Sequence, residues 1–399
     1  MQATAGRSAR HSTADVAALF RGRGAAIMAG LSIVLIYAFS PVPLYLTTAA
    51  GLGVGDDTLQ AGFFTAFASA GVITIGLSLW KRQPLALGWS APALLYMAAA
   101  ARTNTPGEIV AGCLLAGAIM TAVAFVPHAD ALTRLAPMPV VMGVYAGSSI
   151  GYITGAADAV GAEPLVAGAP IAGYIAARAL RIGWLPPVAG ALALGLGVLA
   201  ALGSLEPLRL SLETPAFAPV APTFSIGAAL TLAVPLVVLS YGLMNLQAYS
   251  ILERAGYEPP RRPLLALTGL TTLLHGIFAA PPAAMQKQAL AIMTADDAGP
   301  KDGRWLTAVI ASIGAIGIAF TATSIAAFVA GLPVAFVAAL MGVVLLPIIL
   351  DATRTSFSAE AGIGGALAFF VAASSFELWG IGAPFWGLVV GAAALRVRW

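Results

Sequence analysis

A chain of 399 residues that is 59% hydrophobic and only 9% Asp, Glu, Lys or Arg cannot clothe a water-facing surface, since soluble domains are about 45–50% apolar and about a quarter charged. Its net charge of +3 is scattered singly between apolar runs, which excludes a nucleic-acid patch. The single Cys113 sits in an apolar stretch without a partner, so it reads as packing and excludes a disulfide framework or a thiolate metal site.

Residues 1–24 are polar and carry Arg7, Arg10, Arg21 and Arg23, and the apolar run behind them has no small-residue cleavage site followed by a soluble chain. They read as a cytoplasmic lead-in, disordered or lying on the membrane surface, and not as a cleaved signal. Behind them, a membrane span needs about 20 mostly apolar residues, and fewer where a helix is broken near mid-bilayer. Candidate spans lie near 25–47, 58–79, 86–101, 107–127, 138–157, 163–180 and 185–203 in the first half, and near 225–251, 263–279, 282–294, 305–330, 333–350, 361–376 and 380–396 in the second. The fold class is thus an all-α polytopic membrane protein of about fourteen spans, with a twelve-span reading containing two re-entrant segments as the alternative. The 26 prolines and 44 glycines suit discontinuous helices that line a cavity.

With the N-terminus inside, the turns that fall on the cytoplasmic side carry Lys81, Arg82, Arg134, Arg178, Arg181, Arg254, Arg261, Arg262, Lys301, Arg304, Arg354, Arg396 and Arg398, while the outer loops carry only Arg102 and Arg209. That asymmetry places both termini in the cytoplasm. Seven spans plus seven make an inverted repeat, and the third span of each half is short and proline-marked, by Pro84 and Pro92 in one and Pro281 and Pro282 in the other. Paired interrupted spans point to a substrate site near the midplane.

Every Asp and Glu falls in a loop or at a span end, so no carboxylate is expected at mid-membrane. Lys287 is the exception among ionisable groups; with the half-helix taken to begin at Pro282, its long side chain would reach back to the site and carry the coupled proton. Asn245 and Gln247 in the eighth span, Trp89 and Ser90 in the third, and Ser40, Tyr45 and Thr47 in the first are the uncharged polar and aromatic candidates. Taken singly, each is more often helix-to-helix glue than a ligand contact. His275 reads as hydrogen-bonded packing. The chain has no phosphate loop, no HExxH, no Cys/His metal spacing and no convincing Ser/His/Asp set, so neither an enzyme nor a metal or cofactor is expected.

The stretches GLSLWKRQPLALGWSAPALLYMA, MNLQAYSILERAGYEP, ADDAGPKDGRW and GIGAPFWGLVVG resemble the benzoate/proton symporter (BenE-type) family, and the resemblance runs from about residue 25 onward. It implies the nucleobase and sulfate transporter fold: a core domain (25–127 and 225–330) and a gate domain (128–224 and 331–399), with spans three and ten as half-helices after short extended pieces. It implies a site formed by Ser90 and Ala91, by Asn245 and Gln247, and by the backbone near Ala283 and Ala284. The start of span ten departs from the family pattern, because Ala279 to Met285 lacks its His and Asn, and Lys287 stands where a small apolar residue is usual. The expected function is proton-coupled symport of a small aromatic carboxylate across the plasma (inner) membrane, with the ring against Trp89 and Tyr45. The alternatives are a nucleobase permease or an uncoupled anion channel or exchanger. Protons, the organic anion and membrane lipid are the expected partners, and relatives of this fold often pair through the gate as homodimers.

Overall fold

The computed structural model describes residues 23–39, 41–126, 137–180, 187–358, 362–378 and 381–396. The lead-in at 1–22 and Ser40 lie outside the described residues. Within the first expected span, α1 (Gly24–Phe39) and α2 (Pro41–Ala49) are described on either side of Ser40. Then come α3 (Asp56–Lys81), β1 (Leu87–Trp89), α4 (Ala91–Ala100), α5 (Pro106–Val123), α6 (Met138–Ala162), α7 (Pro164–Leu180) and α8 (Pro187–Ala201).

The long helix α9 (Ile226–Arg254) contains two π stretches, Ala229–Ala233 and Val238–Asn245. It is followed by α10 (Arg261–Gly276), β2 (Ala283–Met285), α11 (Lys287–Thr294), α12 (Trp305–Ala319), α13 (Ala322–Ala330) and α14 (Val334–Ser356). The chain closes with α15 (Gly362–Ala373), a hairpin of β3 (Glu377–Leu378) and β4 (Ile381–Gly382), and α16 (Ala383–Ala394). Among the described residues, seven helical stretches are long and apolar enough to cross a bilayer, and five further apolar helices are shorter.

Two expectations need correction. The tenth segment does not start as a helix at Pro282: residues 283–285 form a strand and the helix begins at Lys287. Two successive prolines hold φ near −65° and push the backbone into the extended region, and pairing with β1 then carries the extension onward. The eleventh segment, expected as one helix over 305–330, is interrupted between α12 and α13 by a turn at Phe320 and Thr321, where the Thr321 amide (3.0 Å) and hydroxyl (2.7 Å) both donate to the Ile318 carbonyl three residues back.

The helices sort into two packing groups. In one, α6 lies against α14, α15 and α16, and α7 packs on α8 and α14; in the other, α12 lies against α3 and α1, and α5 against α10. Small residues set the closest approach: a Cβ on Gly143 or Gly147 of α6 would run into the backbone carbonyls of Gly365 and Phe369 on α15. In an apolar solvent, such contact is what dispersion and backbone proximity can use in place of a hydrophobic driving force. The strands β1 and β2 are embedded in the second group, with every residue of both strands buried.

Candidate functional site

The two buried strands run antiparallel, pairing Leu87 with Met285, Gly88 with Ala284 and Trp89 with Ala283. The ladder is extended at both ends, where Ser90 N donates to Pro282 O and Gln286 N to Ala86 O, each at 2.8 Å. A ribbon of only two strands leaves unpaired groups along its outer edges, and away from water each must find a partner. Side chains supply them. Thr74 Oγ1 accepts from Leu87 N at 2.9 Å, Thr272 Oγ1 from Ala283 N at 3.0 Å, and Asn245 Oδ1 from Met285 N at 2.8 Å. His275 bridges the Pro281 carbonyl (2.8 Å) and the Ser69 hydroxyl (2.9 Å), in keeping with its reading as hydrogen-bonded packing.

Two helices leave this ribbon with different chemistry at their starts. Ser90 is the N-cap of α4; its Oγ accepts from Ala93 N at 3.2 Å and its carbonyl from Leu94 N at 3.0 Å. Pro92 has no N–H to offer, so only the amide of Ala91 is left over. The N-cap of α11 is Gln286, which makes no capping bond. Its side chain turns across the ribbon instead, Nε2 donating to Trp89 O at 2.7 Å over Gly88, where a Cβ would stand 2.5 Å from Gln286 Cγ. The amides of Lys287, Gln288 and Ala289 therefore have no partner among the described residues. Together with the half-positive end of the helix they form a ready place for an anion.

Because the helix starts at Lys287, that residue stands at its mouth and not about five residues inside it. Its ammonium donates to Gln247 Oε1 at 3.1 Å, which brings two sequence candidates together. Among the described residues no carboxylate pairs with it. Ala283 and Ala284, expected to offer free backbone groups, lie within the strand, where the Ala283 amide is already bonded to Thr272 and Ala284 faces Gly88. Asn245 is also committed, to Met285 N on one side and to Thr268 Oγ1 at 3.3 Å on the other.

Trp89 and Tyr45 do meet, edge to face with ring centroids 5.2 Å apart, and Phe67 lies 6.2 Å from Trp89. The space beside them, bounded by Tyr37, Phe67, Thr74, Gly88 and Gln286, is about 30 Å³, room for water and not for an aromatic ring. A second cavity of about 270 Å³ shares Tyr37, Pro41 and Gln286 with it. This one runs past Gln288 and Ala289 to Tyr174, Val188 and Val343 of the other packing group, and its walls are mostly apolar. Gln286 and Tyr37 thus stand at a junction that sequence reasoning missed; the signal for Gln286 was its place in the polar triplet Gln286, Lys287 and Gln288 directly after a proline-marked extended stretch.

The profile of the BenE family of benzoate membrane transport proteins matches residues 22–397. The chain is 27% identical over 370 residues to the inner membrane protein YdcO of Escherichia coli strain K12, covering 92% of this chain and 93% of that one. It is 25% identical over 375 residues to a benzoate membrane transport protein of Acinetobacter baylyi, covering 92% and 94%. Among solved structures it is similar to the transmembrane domain of the cyanobacterial bicarbonate transporter BicA, with a TM-score of 0.59 at 16% identity over 93% of this chain and 98% of that chain. It is also similar to SLC26A9, with a TM-score of 0.62 at 12% identity over 99% and 72%. At these identities the structural likenesses establish the fold.

Proposed function

The chain belongs to the family of benzoate membrane transport proteins and is a multi-pass membrane transporter, not an enzyme; from that premise we propose that it carries a small aromatic carboxylate together with a proton. The observation that carries this reading is the uncapped start of α11. Its first-turn amides have no partner among the described residues, Lys287 is its first residue with the ammonium on Gln247, and Gln288 and Ala289 line an apolar cavity able to receive a ring. The core half of the site is fixed by the buried ribbon. The other half belongs to α7, α8 and α14, so movement of one packing group against the other would expose the anion to one side of the membrane and then to the opposite one.

On this reading the groups correspond to core (25–127 and 225–330) and gate (128–224 and 331–399), arranged as a fourteen-span inverted repeat in the inner membrane with both termini in the cytoplasm. Cysteines introduced beside Asp57, Arg209 and Glu377 then label from outside. Those beside Arg82, Arg262 and Lys301 label only after permeabilisation, and outside labelling at Arg262 would break the topology.

Uptake into proteoliposomes tests the transport itself. An inward proton gradient should drive benzoate above equilibrium and leave uncharged benzamide unmoved, because a helix N-terminus favours anions specifically. Equal handling of the two would remove the α11 site. Lys287, with no carboxylate beside it, is the proposed proton carrier: Lys287→Gln should keep anion-for-anion exchange and lose gradient-driven accumulation, and full accumulation by this variant would end that role.

A further inference from the structure

The stretch ADDAGPKDGRW takes no part in the site at the α11 mouth, yet it begins where that helix ends. α11 has only eight residues, about 12 Å from end to end, and helices that short do not stand unaided. Its N-terminus has no side-chain cap, because Gln286 is spent on the Trp89 carbonyl. What holds it must therefore lie along its sides and at its other end. Along its sides, Ala289, Leu290 and Met293 are buried, and the helix lies against α9 and α1.

At the other end stands Arg304, ten residues beyond Thr294 and only 9% exposed. Its guanidinium donates through Nη1 to the Thr294 carbonyl at 2.6 Å, through Nε to the Gly299 carbonyl at 2.8 Å and through Nη2 to Asp296 Oδ1 at 3.1 Å. Thr294 is the last residue of α11, so the first bond satisfies a carbonyl the helix leaves over and sets a cation at its negative end. The Asp296 side chain is fully exposed, and an ion pair in that setting is worth little. Gly299 lets the loop fold back, with φ 86° and ψ −165°, a conformation open essentially to glycine alone. The same loop is tied to the turn after α9: the Tyr257 hydroxyl donates to the Lys301 carbonyl at 2.8 Å, and the Lys301 ammonium to the Gly256 carbonyl. One loop thus braces the two helices whose side chains, Gln247 and Lys287, meet 3.1 Å apart at the mouth. At α4 the last carbonyl, that of Ala100, is taken by the neutral amide of Asn104 at 2.9 Å, only four residues on.

We infer that Arg304 is a positioning residue for anion binding: by holding the C-terminus of α11 it fixes the aim of the unpartnered amides and of Lys287 at the opposite end. The inference rests on the reading of the α11 start as the anion site. A helix of about two turns moves as one body, so a tilt at the Arg304 end displaces the mouth, and donors that leave the line of their acceptor weaken steeply. The fork matters more than the charge. A planar guanidinium serves three acceptors lying in different directions, which the point charge of an ammonium on a flexible stem cannot reproduce.

Three measurements on the full-length protein in lipid test this: titration with benzoate, proton-driven benzoate uptake, and hydrogen exchange of the backbone amides from Leu290 to Thr294. Arg304→Gln should weaken benzoate binding about tenfold and raise KM by the same factor, with the maximal rate per folded transporter within about twofold of the parent. Exchange of the α11 amides should quicken about tenfold in the same variant. Arg304→Lys, which keeps the charge and loses the fork, should weaken binding about threefold, and it carries the test if Arg304→Gln does not fold. Asp296→Asn gives up only the exposed ion pair and should leave binding and exchange within about twofold. Parent-like affinity in the Arg304 variants, a fall in maximal rate with KM unchanged, or Asp296→Asn as damaging as Arg304→Gln overturns the positioning role. If the α11 reading itself is wrong, Gln286→Asp binds benzoate as the parent does. If only the positioning role is wrong, Gln286→Asp binds weakly while the Arg304 variants bind as the parent does, so the two failures are distinguishable.

Discussion

The starts of α4 and α11 issue from one ribbon and look alike in outline, yet one is finished and the other is open. At α4, Ser90 folds its hydroxyl back onto the first turn and Pro92 removes a donor, so the helix end is nearly self-satisfied. At α11, Gln286 is one methylene too long for a tight cap and spends its amide on the Trp89 carbonyl across the ribbon, leaving three first-turn amides without a partner among the described residues. Both ends carry about half a positive charge, but only one keeps its donors for something else. The lesson is that two short helices leaving one ribbon need not be finished alike. The cap residue decides which end keeps free donors and which does not.

The sharpest way to break this comparison is to finish α11 as α4 is finished. Gln286→Asp puts a short carboxylate at the N-cap, where Asp caps well, and should lower benzoate affinity at this site about a hundredfold, or roughly 2.7 kcal/mol, without loss of thermal stability. Affinity measured by titration that stays within a factor of three of the parent would show that the α11 amides do not hold the anion. Next in size is the scaffold beneath that end. Asn245→Leu leaves the Met285 amide unmet inside the protein, where Asn245 is wholly buried, and should cost about 2 kcal/mol of stability, read as a lower unfolding temperature in detergent.

A gentler test sits at Gly88. Alanine there brings a Cβ to 2.5 Å from Gln286 Cγ, so the flexible glutamine must swing off the Trp89 carbonyl, and uptake should fall several-fold while the fold survives. The smallest effect belongs to the finished end: Ser90→Ala should cost about 1 kcal/mol of stability and leave benzoate affinity unchanged. A large loss of affinity from Ser90→Ala would mean that both helix ends bind, and the contrast drawn above would be gone.

Legibility in the sequence followed the kind of signal. Pro281 and Pro282, read with Pro84 and Pro92, pointed to interrupted segments, and both segments are indeed a strand followed by a short helix. The start of α11 was misplaced by five residues because a proline is also a favoured first helical residue, and nothing local says that β1 lies alongside to hold residues 283–285 extended. Asn245 was found as a polar residue in an apolar span, but its partner is 40 residues away in the chain, so its duty to the Met285 amide could not be read from its neighbours. Gln247 and Lys287 were singled out separately, and only packing showed them 3.1 Å apart.

Composition and hydropathy by themselves determined that the chain lives in a bilayer, how its apolar segments are spaced and which two segments are proline-interrupted, because those properties depend on local chemistry: transfer of side chains to hydrocarbon and the backbone limits of proline. The tertiary structure alone decided which helix end stays open, which polar side chains are consumed by the ribbon, and that the space beside Trp89 is too small for a ring while one beside Gln288 and Ala289 is larger. The reason is that a backbone donor in a membrane protein is satisfied by whatever lies next to it in space, and for Leu87, Ala283 and Met285 that neighbour comes from a different helix each time.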